Sequence, residues 1–345
     1  MKLMVDDAVW GFNKIFSEFG EVVTLPGRDI SRESLLDCDM LIVRSRTQVN
    51  QELLEGTKIS FVGSTVAGLD HIDESYLYKN NIAFSSAQGC NANAVAEYVI
   101  SALANLAHDY CFNLTEKSLG IIGVGNVGRR LDFKARQLGM TTLLNDPPRE
   151  EKEGADGFVS LENALSADIV TFHTPLTNNG PYPTHNLLGS QNFNLITEDT
   201  ILINAARGGI IDEAIWETIN TKANIIDCWE NEPNINRTLQ KSAYWSTPHI
   251  AGHSIDAKFM GSFMIYKELC KFTQKPMNSE VETLINRESM VIEEKTLHAT
   301  LNSIYSFKDD DEVISDISKF EDYRRNYPER FEWHHFKTQF DIPRK

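Results

Sequence analysis

Short β-prone runs that are apolar at nearly every position, not at alternate ones, recur along most of this chain. A strand that is apolar on both faces must be covered on both faces, as in a parallel sheet sandwiched between helices. The runs are KLMVD (2–6), MLIVRS (40–45), ISFVGS (59–64) and IAFSSA (82–87). A second series follows: LGIIGVG (119–125), TTLLND (141–146), ADIVTFHTP (167–175), TILINAAR (200–207) and ANIIDCW (223–229). Helical patterns between them complete right-handed βαβ units, so the expected fold class is α/β with open, doubly wound sheets. An Ala- and Leu-rich helical pattern from about Asn93 to Tyr110 separates the two series and is long enough to connect two domains. The alternation stops near residue 250, and 257–273 reads as one more amphipathic helix.

The expected organisation is therefore two doubly wound domains with a cleft between them. One comprises 1–93 with the returning segment 248–280, and the other spans 94–247; residues 290–345 form a small α+β segment. At 345 residues the chain has the length for this arrangement. The run Asp309-Asp310-Asp311-Glu312 reads as a solvated loop.

Charge and cysteine content narrow the function classes. Lys and Arg number 33 against 49 Asp and Glu, a formal net charge of −16. Such a surface disfavours nucleic acids and anionic membranes, so an anionic ligand needs a local basic pocket. Five cysteines without CxxC spacing fit a reducing compartment and neither a disulfide framework nor a zinc site. Adjacent His334 and His335 would point apart on a helix or a strand, so no metal is expected. The N-terminus has no signal-peptide pattern and no apolar run has spanning length, which leads us to expect a cytoplasmic protein.

GVGNVG (123–128) follows the strand LGII directly. Beyond it, Val127, Leu131, Ala135 and Leu138 share one helical face, and Gly139 is placed to end that helix. The next strand ends at Asp146, 18 residues past Gly128. This is the Rossmann-like arrangement that holds a dinucleotide pyrophosphate at a helix N-terminus. Gly123 allows the tight turn, Gly125 the approach of the phosphates, and Gly128 close helix–strand packing. Asp146 would accept from the adenosine ribose hydroxyls and repel a 2′-phosphate, favouring NAD over NADP. Arg149 lies close by, where Pro147 and Pro148 can turn it away.

Three later segments bring chemistry to strand ends: INAARGGIID (203–212), DCWENEP (227–233) and STPHIAGHS (246–254). Oxidising a 2-hydroxy acid needs a base for the hydroxyl proton, a cation for the carboxylate, and a carboxylate that orients the base. His249, Arg207 and Glu232 fill these roles in turn. Glu230 is the weaker partner, His253 competes with His249, and His71 and His173 read as structural.

Taken in order, GVGNVGRR, FHTPL, INAARGGIID, DCWENEP and TPHIAG resemble the D-isomer-specific 2-hydroxyacid dehydrogenase family. LPGRDI (25–30), LIVRSRTQVN (41–50), VAGLDHID (66–73), GCNANAVAEYV (89–99), DPPR (146–149) and FEDYRRNYPERFEW (320–333) extend the likeness over nearly the whole chain. The resemblance implies NAD-dependent oxidation of 4-phospho-D-erythronate to 2-oxo-3-hydroxy-4-phosphobutanoate, in pyridoxal 5′-phosphate biosynthesis. By the family pattern Arg207 and Glu232 are active-site residues and His249 the proton donor or acceptor. The resemblance places cofactor contacts at Asn126, Val127, Asp146, Thr174, Ala205, Ala206, Arg207, Asp227 and Gly252, and a substrate contact at Ser45. Arg44 and Arg46 flank Ser45 and could hold a phosphate. Residues 290–345 are similar to a dimerisation domain, shortened here, which implies a homodimer.

Two positions depart from the family pattern. Val66 stands where a substrate-contacting Thr is usual, so either Thr65 takes over or one contact is lost. His253 stands where a Tyr is usual and would have to supply that substrate contact. Other readings compatible with the residues are a related dehydrogenase acting on 3-phosphoglycerate or glycerate, and an NAD-sensing binding protein.

Overall fold

A computed structural model describes residues 1–344. The chain divides into two compact units, residues 1–91 with 254–288, and residues 92–253 with 289–345. Among the described residues, no helix is long and apolar enough to cross a membrane, and all five cysteines are free.

The first unit holds an all-parallel sheet of β1 (Lys2–Asp6), β2 (Glu21–Leu25), β3 (Met40–Val43), β4 (Phe61–Ser64) and β5 (Ala83–Ser86). Its order is β2-β1-β3-β4-β5. The sheet is buried on both faces, as its unbroken apolar runs require: Leu3, Val5 and Ile42 point into one core, Met4, Leu41 and Val43 into the other. β2 has no counterpart among the expected strands; its sequence EVVTL is only partly buried. Helix Ile255–Thr273 returns to this unit and packs Ile265, Tyr266 and Leu269 into its core. It passes so close to β4 that a Cβ at Gly63 would lie 2.5 Å from Ile265 Cγ2.

In the second unit, helix Ala92–Asp109 precedes β6 (Ser118–Ile122), β7 (Thr141–Asn145), β8 (Ile169–Phe172), β9 (Ile201–Asn204), β10 (Ala223–Ile226) and β11 (Trp245–Ser246). All pair in parallel, in the order β11-β10-β9-β8-β6-β7. The order reverses at β6, with β7 on one side and β8 on the other. Ligands of doubly wound sheets bind at such a switch, outside the carboxyl ends of the strands.

Residues 289–345 add a parallel pair, β12 (Met290–Ile292) with β13 (Phe336–Thr338), and several short helices. This segment has no core of its own. Leu301, Phe307, Tyr327 and Trp333 enter the core that contains β6 and helix Ala92–Asp109, while Ile314 and Phe320 enter the core on the opposite sheet face. The acidic run is not a solvated loop. It lies in helix Lys308–Ile314, where buried Asp310 accepts from the hydroxyls of Tyr305, Tyr323 and Tyr327, and Asp311 accepts from the N–H and hydroxyl of Ser246. His334 and His335 do not diverge either. They sit in the 3₁₀ turn Trp333–His335, with ring centroids 4.1 Å apart.

Candidate active site

The turn after β6 has three glycines with different constraints. Gly123 has φ +87°, and a Cβ there would lie 2.7 Å from Thr174 Cγ2. A Cβ at Gly128 would lie 2.2 Å from the Gly123 carbonyl oxygen, so this contact sets the helix against the strand. Gly125 is the N-cap of helix Asn126–Gln137 and has no side chain to cap it, and a Cβ there would meet nothing within 4 Å. The first helical hydrogen bond runs from the Arg129 N–H to Gly125 O, leaving the N–H groups of Asn126, Val127 and Gly128 for this open space. Across the turn, Thr174 Oγ1 and His173 Nδ1 are buried without a protein partner among the described residues. Open space, unspent donors and orphaned polar atoms fit a bound dinucleotide. Burial pushes the His173 imidazole down to about 3, so it stays neutral, with Nε2 3.0 Å from Thr171 Oγ1.

Asp146 stands at the carboxyl end of β7. Its Oδ2 accepts from the Val124 N–H at 2.8 Å, and its Oδ1 caps helix Pro147–Glu153 through the Arg149 N–H. Each oxygen keeps capacity for a ribose hydroxyl. The prolines do not turn Arg149 away, because they occupy the first positions of the helix that Asp146 caps. Arg149 Nη1 donates to Val124 O at 2.6 Å, and Nε and Nη2 engage Glu153. The guanidinium also stacks on Phe158. It therefore borders the glycine turn as a neutralised wall, and Glu153 competes with any 2′-phosphate for it.

Arg207, Glu232 and His249 all follow carboxyl ends of strands. Asn204, the last residue of β9, ties the first turn to the second: its side chain donates to the carbonyls of Arg207 and Cys228. Gly208 makes that approach possible, since a Cβ there would lie 2.1 Å from Trp229 O. Arg207 is half-buried, with Nη1 donating to Ala206 O. Ala205 and Ala206 are buried at the same strand end.

The loop carrying His249 is fixed by Asp227. Asp227 Oδ1 accepts from Thr247 Oγ1 and the Ile250 N–H, each at 2.7 Å, and Oδ2 accepts from the Ala251 N–H. Its side chain thus holds the protein's own loop. His249 has φ +56°. Its Nδ1 lies 2.9 Å from both Glu232 oxygens, and no hydrogen bond to Nε2 is found among the described residues. Burial raises the Glu232 carboxyl, but His249, Arg324 and the Trp229 N–H outweigh it and hold Glu232 below its ordinary value. Glu230 faces Glu213 instead: its Oε1 accepts from the Glu213 N–H at 3.5 Å, and its own N–H donates to the Glu213 carboxylate at 2.7 Å. Gly252 and His253 continue the loop, and the His253 ring meets Tyr327 edge-on at 5.7 Å.

In the first unit, Ser45 is exposed in the turn after β3, between half-buried Arg44 and Arg46. Arg44 Nη1 donates to Ala8 O at 3.1 Å. Thr65 does not present its hydroxyl as the expectation required. It is buried, and Oγ1 bonds Val43 O at 3.2 Å, because the residue continues the β3–β4 pairing. Val66 therefore leaves that donor position unfilled. His71 is buried, with Nε2 3.1 Å from Ser64 Oγ.

Residues 95–251 match the model of the D-isomer specific 2-hydroxyacid dehydrogenase, NAD binding domain. The protein named erythronate-4-phosphate dehydrogenase in Ruthia magnifica subsp. Calyptogena magnifica is 57% identical over 343 residues, covering 99% of each chain. The chain belongs to the D-isomer specific 2-hydroxyacid dehydrogenase family. A protein of the same name in Hydrogenovibrio crunogenus is 51% identical, covering 96% of this chain and 92% of that one. The solved NAD-bound 3-phosphoglycerate dehydrogenase of Entamoeba histolytica superposes with a TM-score of 0.64 at 24% identity, over 83% of this chain and 99% of that one.

As a member of the 2-hydroxyacid dehydrogenase family, the chain is an NAD-dependent dehydrogenase. Two groups near the His249 loop had no signal in the sequence reading. Arg324 Nη1 lies 3.6 Å from Glu232 Oε2, and Arg330 Nη2 donates to the Ala251 carbonyl. Both belong to the motif FEDYRRNYPERFEW, which pattern reading attached to dimerisation.

Proposed function

We propose that this dehydrogenase oxidises 4-phospho-D-erythronate at C2 to 2-oxo-3-hydroxy-4-phosphobutanoate, a reaction that serves pyridoxal 5′-phosphate synthesis. The observation that carries the chemistry is the His249–Glu232 couple, with both carboxylate oxygens 2.9 Å from Nδ1. Near-full-length relatives bearing the name erythronate-4-phosphate dehydrogenase support the substrate. Bound NAD supplies the acceptor for the hydride leaving C2. Asn126, Val127, Gly128 and Thr174 would hold its phosphates, and Asp146 its ribose.

His249 Nε2 takes the C2 hydroxyl proton as the carbonyl forms. Glu232 keeps the Nδ1 proton in place and balances the imidazolium charge. Arg207 clamps the substrate carboxylate and so fixes which hydrogen is transferred. The first unit is assigned to the substrate, with Ser45 and Arg46 for the phosphate; Arg44 takes part while held to the Ala8 carbonyl. We assign 290–345 to homodimer contacts, and the free cysteines fit a cytoplasmic enzyme.

A substrate panel tests this reading. NADH formation is measured with 4-phosphoerythronate, erythronate and 3-phosphoglycerate, with and without 2-oxoglutarate as a reoxidant. A preference for 4-phosphoerythronate over erythronate of at least about a hundredfold is expected, since losing the phosphate leaves its charged donors unpaired, and a smaller preference over 3-phosphoglycerate is expected from chain length. Equal or greater activity on another acid would overturn the substrate assignment and attach Val66 and His253 to a different specificity.

A further inference from the structure

The Glu232 carboxylate has a second charged neighbour besides His249. Arg324 Nη1 lies 3.6 Å from Oε2, with the two side chains only 21% and 19% exposed. Arg324 comes from helix Phe320–Arg325, far beyond the 95–251 span of the NAD-binding family model. Its guanidinium lies 5.7 Å from the centroid of the fully buried Phe320 ring, and its Nε is buried without a partner among the described residues. The helix is aimed from behind: Tyr323, the preceding residue, donates to Asp310 at 2.6 Å. Arg330 braces the same loop from the same segment, donating to Ala251 O while resting on the Tyr305 ring at 4.9 Å.

We propose that Arg324 is a positioning residue of the proton-transfer couple, fixing the Glu232 carboxylate against His249 and biasing the imidazole toward its neutral, proton-accepting form. The reasoning is electrostatic. A carboxylate beside an imidazole favours the ring's charged form, which opposes proton uptake from a substrate. A cation on the far side of the carboxylate offsets that stabilisation while leaving the Nδ1 hydrogen bond intact. Among the described residues, other charged groups near this corner include Arg207 and Asp227, both felt by the buried Cys228 thiol together with Glu232 and Arg324, and Arg330, which is held to the Ala251 carbonyl. Arg207 is committed to the substrate carboxylate and Asp227 to the loop backbone. Arg324 is therefore the cation assigned to the couple. The inference rests on His249 acting as base, as proposed above.

The test is the pH profile of kcat and kcat/KM for hydroxy-acid oxidation in the full-length enzyme. It compares wild type with Arg324→Met, which keeps the apolar stem over Phe320, and with Arg324→Lys, which keeps the charge. NADH fluorescence checks that cofactor affinity is unchanged. For Arg324→Met the acidic limb is expected to move up by about one pH unit, lowering kcat/KM about tenfold on that limb. Arg324→Lys is expected to restore most of the wild-type profile. An Arg324→Met limb that stays in place or moves down overturns the proposal, as does an Arg324→Lys profile displaced as far as that of Arg324→Met. If Arg324→Met does not fold, Arg324→Gln replaces it with the same expectation, and Arg324→Lys with a fully displaced limb still refutes the charge role. A wild type inactive on every acid would instead refute the reading of His249 as base.

Discussion

Acidic side chains near the catalytic turns have been given opposite electrostatic settings. Glu232 is drawn below its ordinary value by an imidazole and a guanidinium, whereas burial pushes Glu213 up to about 7, with Glu230 and Glu217 adding to the effect and the Glu230 N–H opposing it. The folded chain thus holds a proton on Glu213 that the unfolded chain releases near 4.5. Its contribution to stability is present below about 4.5 and is lost as pH rises toward 7. Glu213→Gln, which resembles the protonated form and can still accept from the Glu230 N–H, is expected to stabilise the protein by about 1 kcal/mol at pH 8. It should have little effect at pH 4. Denaturant titrations at the two pH values check this, and equal effects at both would refute the assignment. Asp227 illustrates what residue-scale reading misses. The family resemblance gives it as a cofactor contact; folding adds a second task, since its oxygens also accept from Thr247, Ile250 and Ala251. Chemistry visible in the sequence can serve the loop that presents the chemistry.

At the scale of elements, the glycines of the β6 turn separate folding from binding. Gly123 and Gly128 are fixed by contacts within the protein, whereas Gly125 faces open space. Gly125→Ala is therefore expected to leave the fold intact, costing at most about 1 kcal/mol as a poorer N-cap. NAD affinity should fall at least about tenfold, because the methyl occupies the approach of the phosphates. Parallel melts and NADH titrations decide it: full affinity would remove Gly125 from the cofactor site. The most legible strands, such as β6 and β9, are buried on both faces, where continuous apolar residues are compulsory, but half-buried β5 and β7 were legible as well. β11 has just two residues and leaves no pattern, and the half-buried EVVTL of β2 went unread. The acidic run was misread because its partners, Tyr305, Tyr323 and Tyr327, are brought to Asp310 by folding.

The whole molecule depends on its last segment more than its motifs suggest. Leu301, Phe307, Ile314, Phe320 and Trp333 are fully or almost fully buried in the two cores of the second unit. At about 1.5–3 kcal/mol each, their loss is of order 10 kcal/mol, comparable to the total stability of a domain. Lys134 adds a polar tie, donating to Pro343 O at 2.8 Å while lying over the Trp333 ring. A chain ending after Glu288 is expected to aggregate or to lose NADH binding altogether. A soluble truncated chain with wild-type NADH affinity would show that the segment serves only pairing between copies.

The interleaving of the two units has a consequence for synthesis. The first unit needs helix Ile255–Thr273, and the second needs residues up to Trp333 and beyond. A chain leaving the ribosome therefore carries the whole glycine turn and the His249 loop long before it can close the cores around them. At roughly 5–20 residues per second, the interval from His249 to Trp333 lasts several seconds or more. During that time the apolar faces of the second sheet are open to chaperones and to neighbouring chains. Catalytic competence waits until the segment through Trp333 is made, so a ribosome that stops before it releases a product prone to aggregation and without a working proton relay.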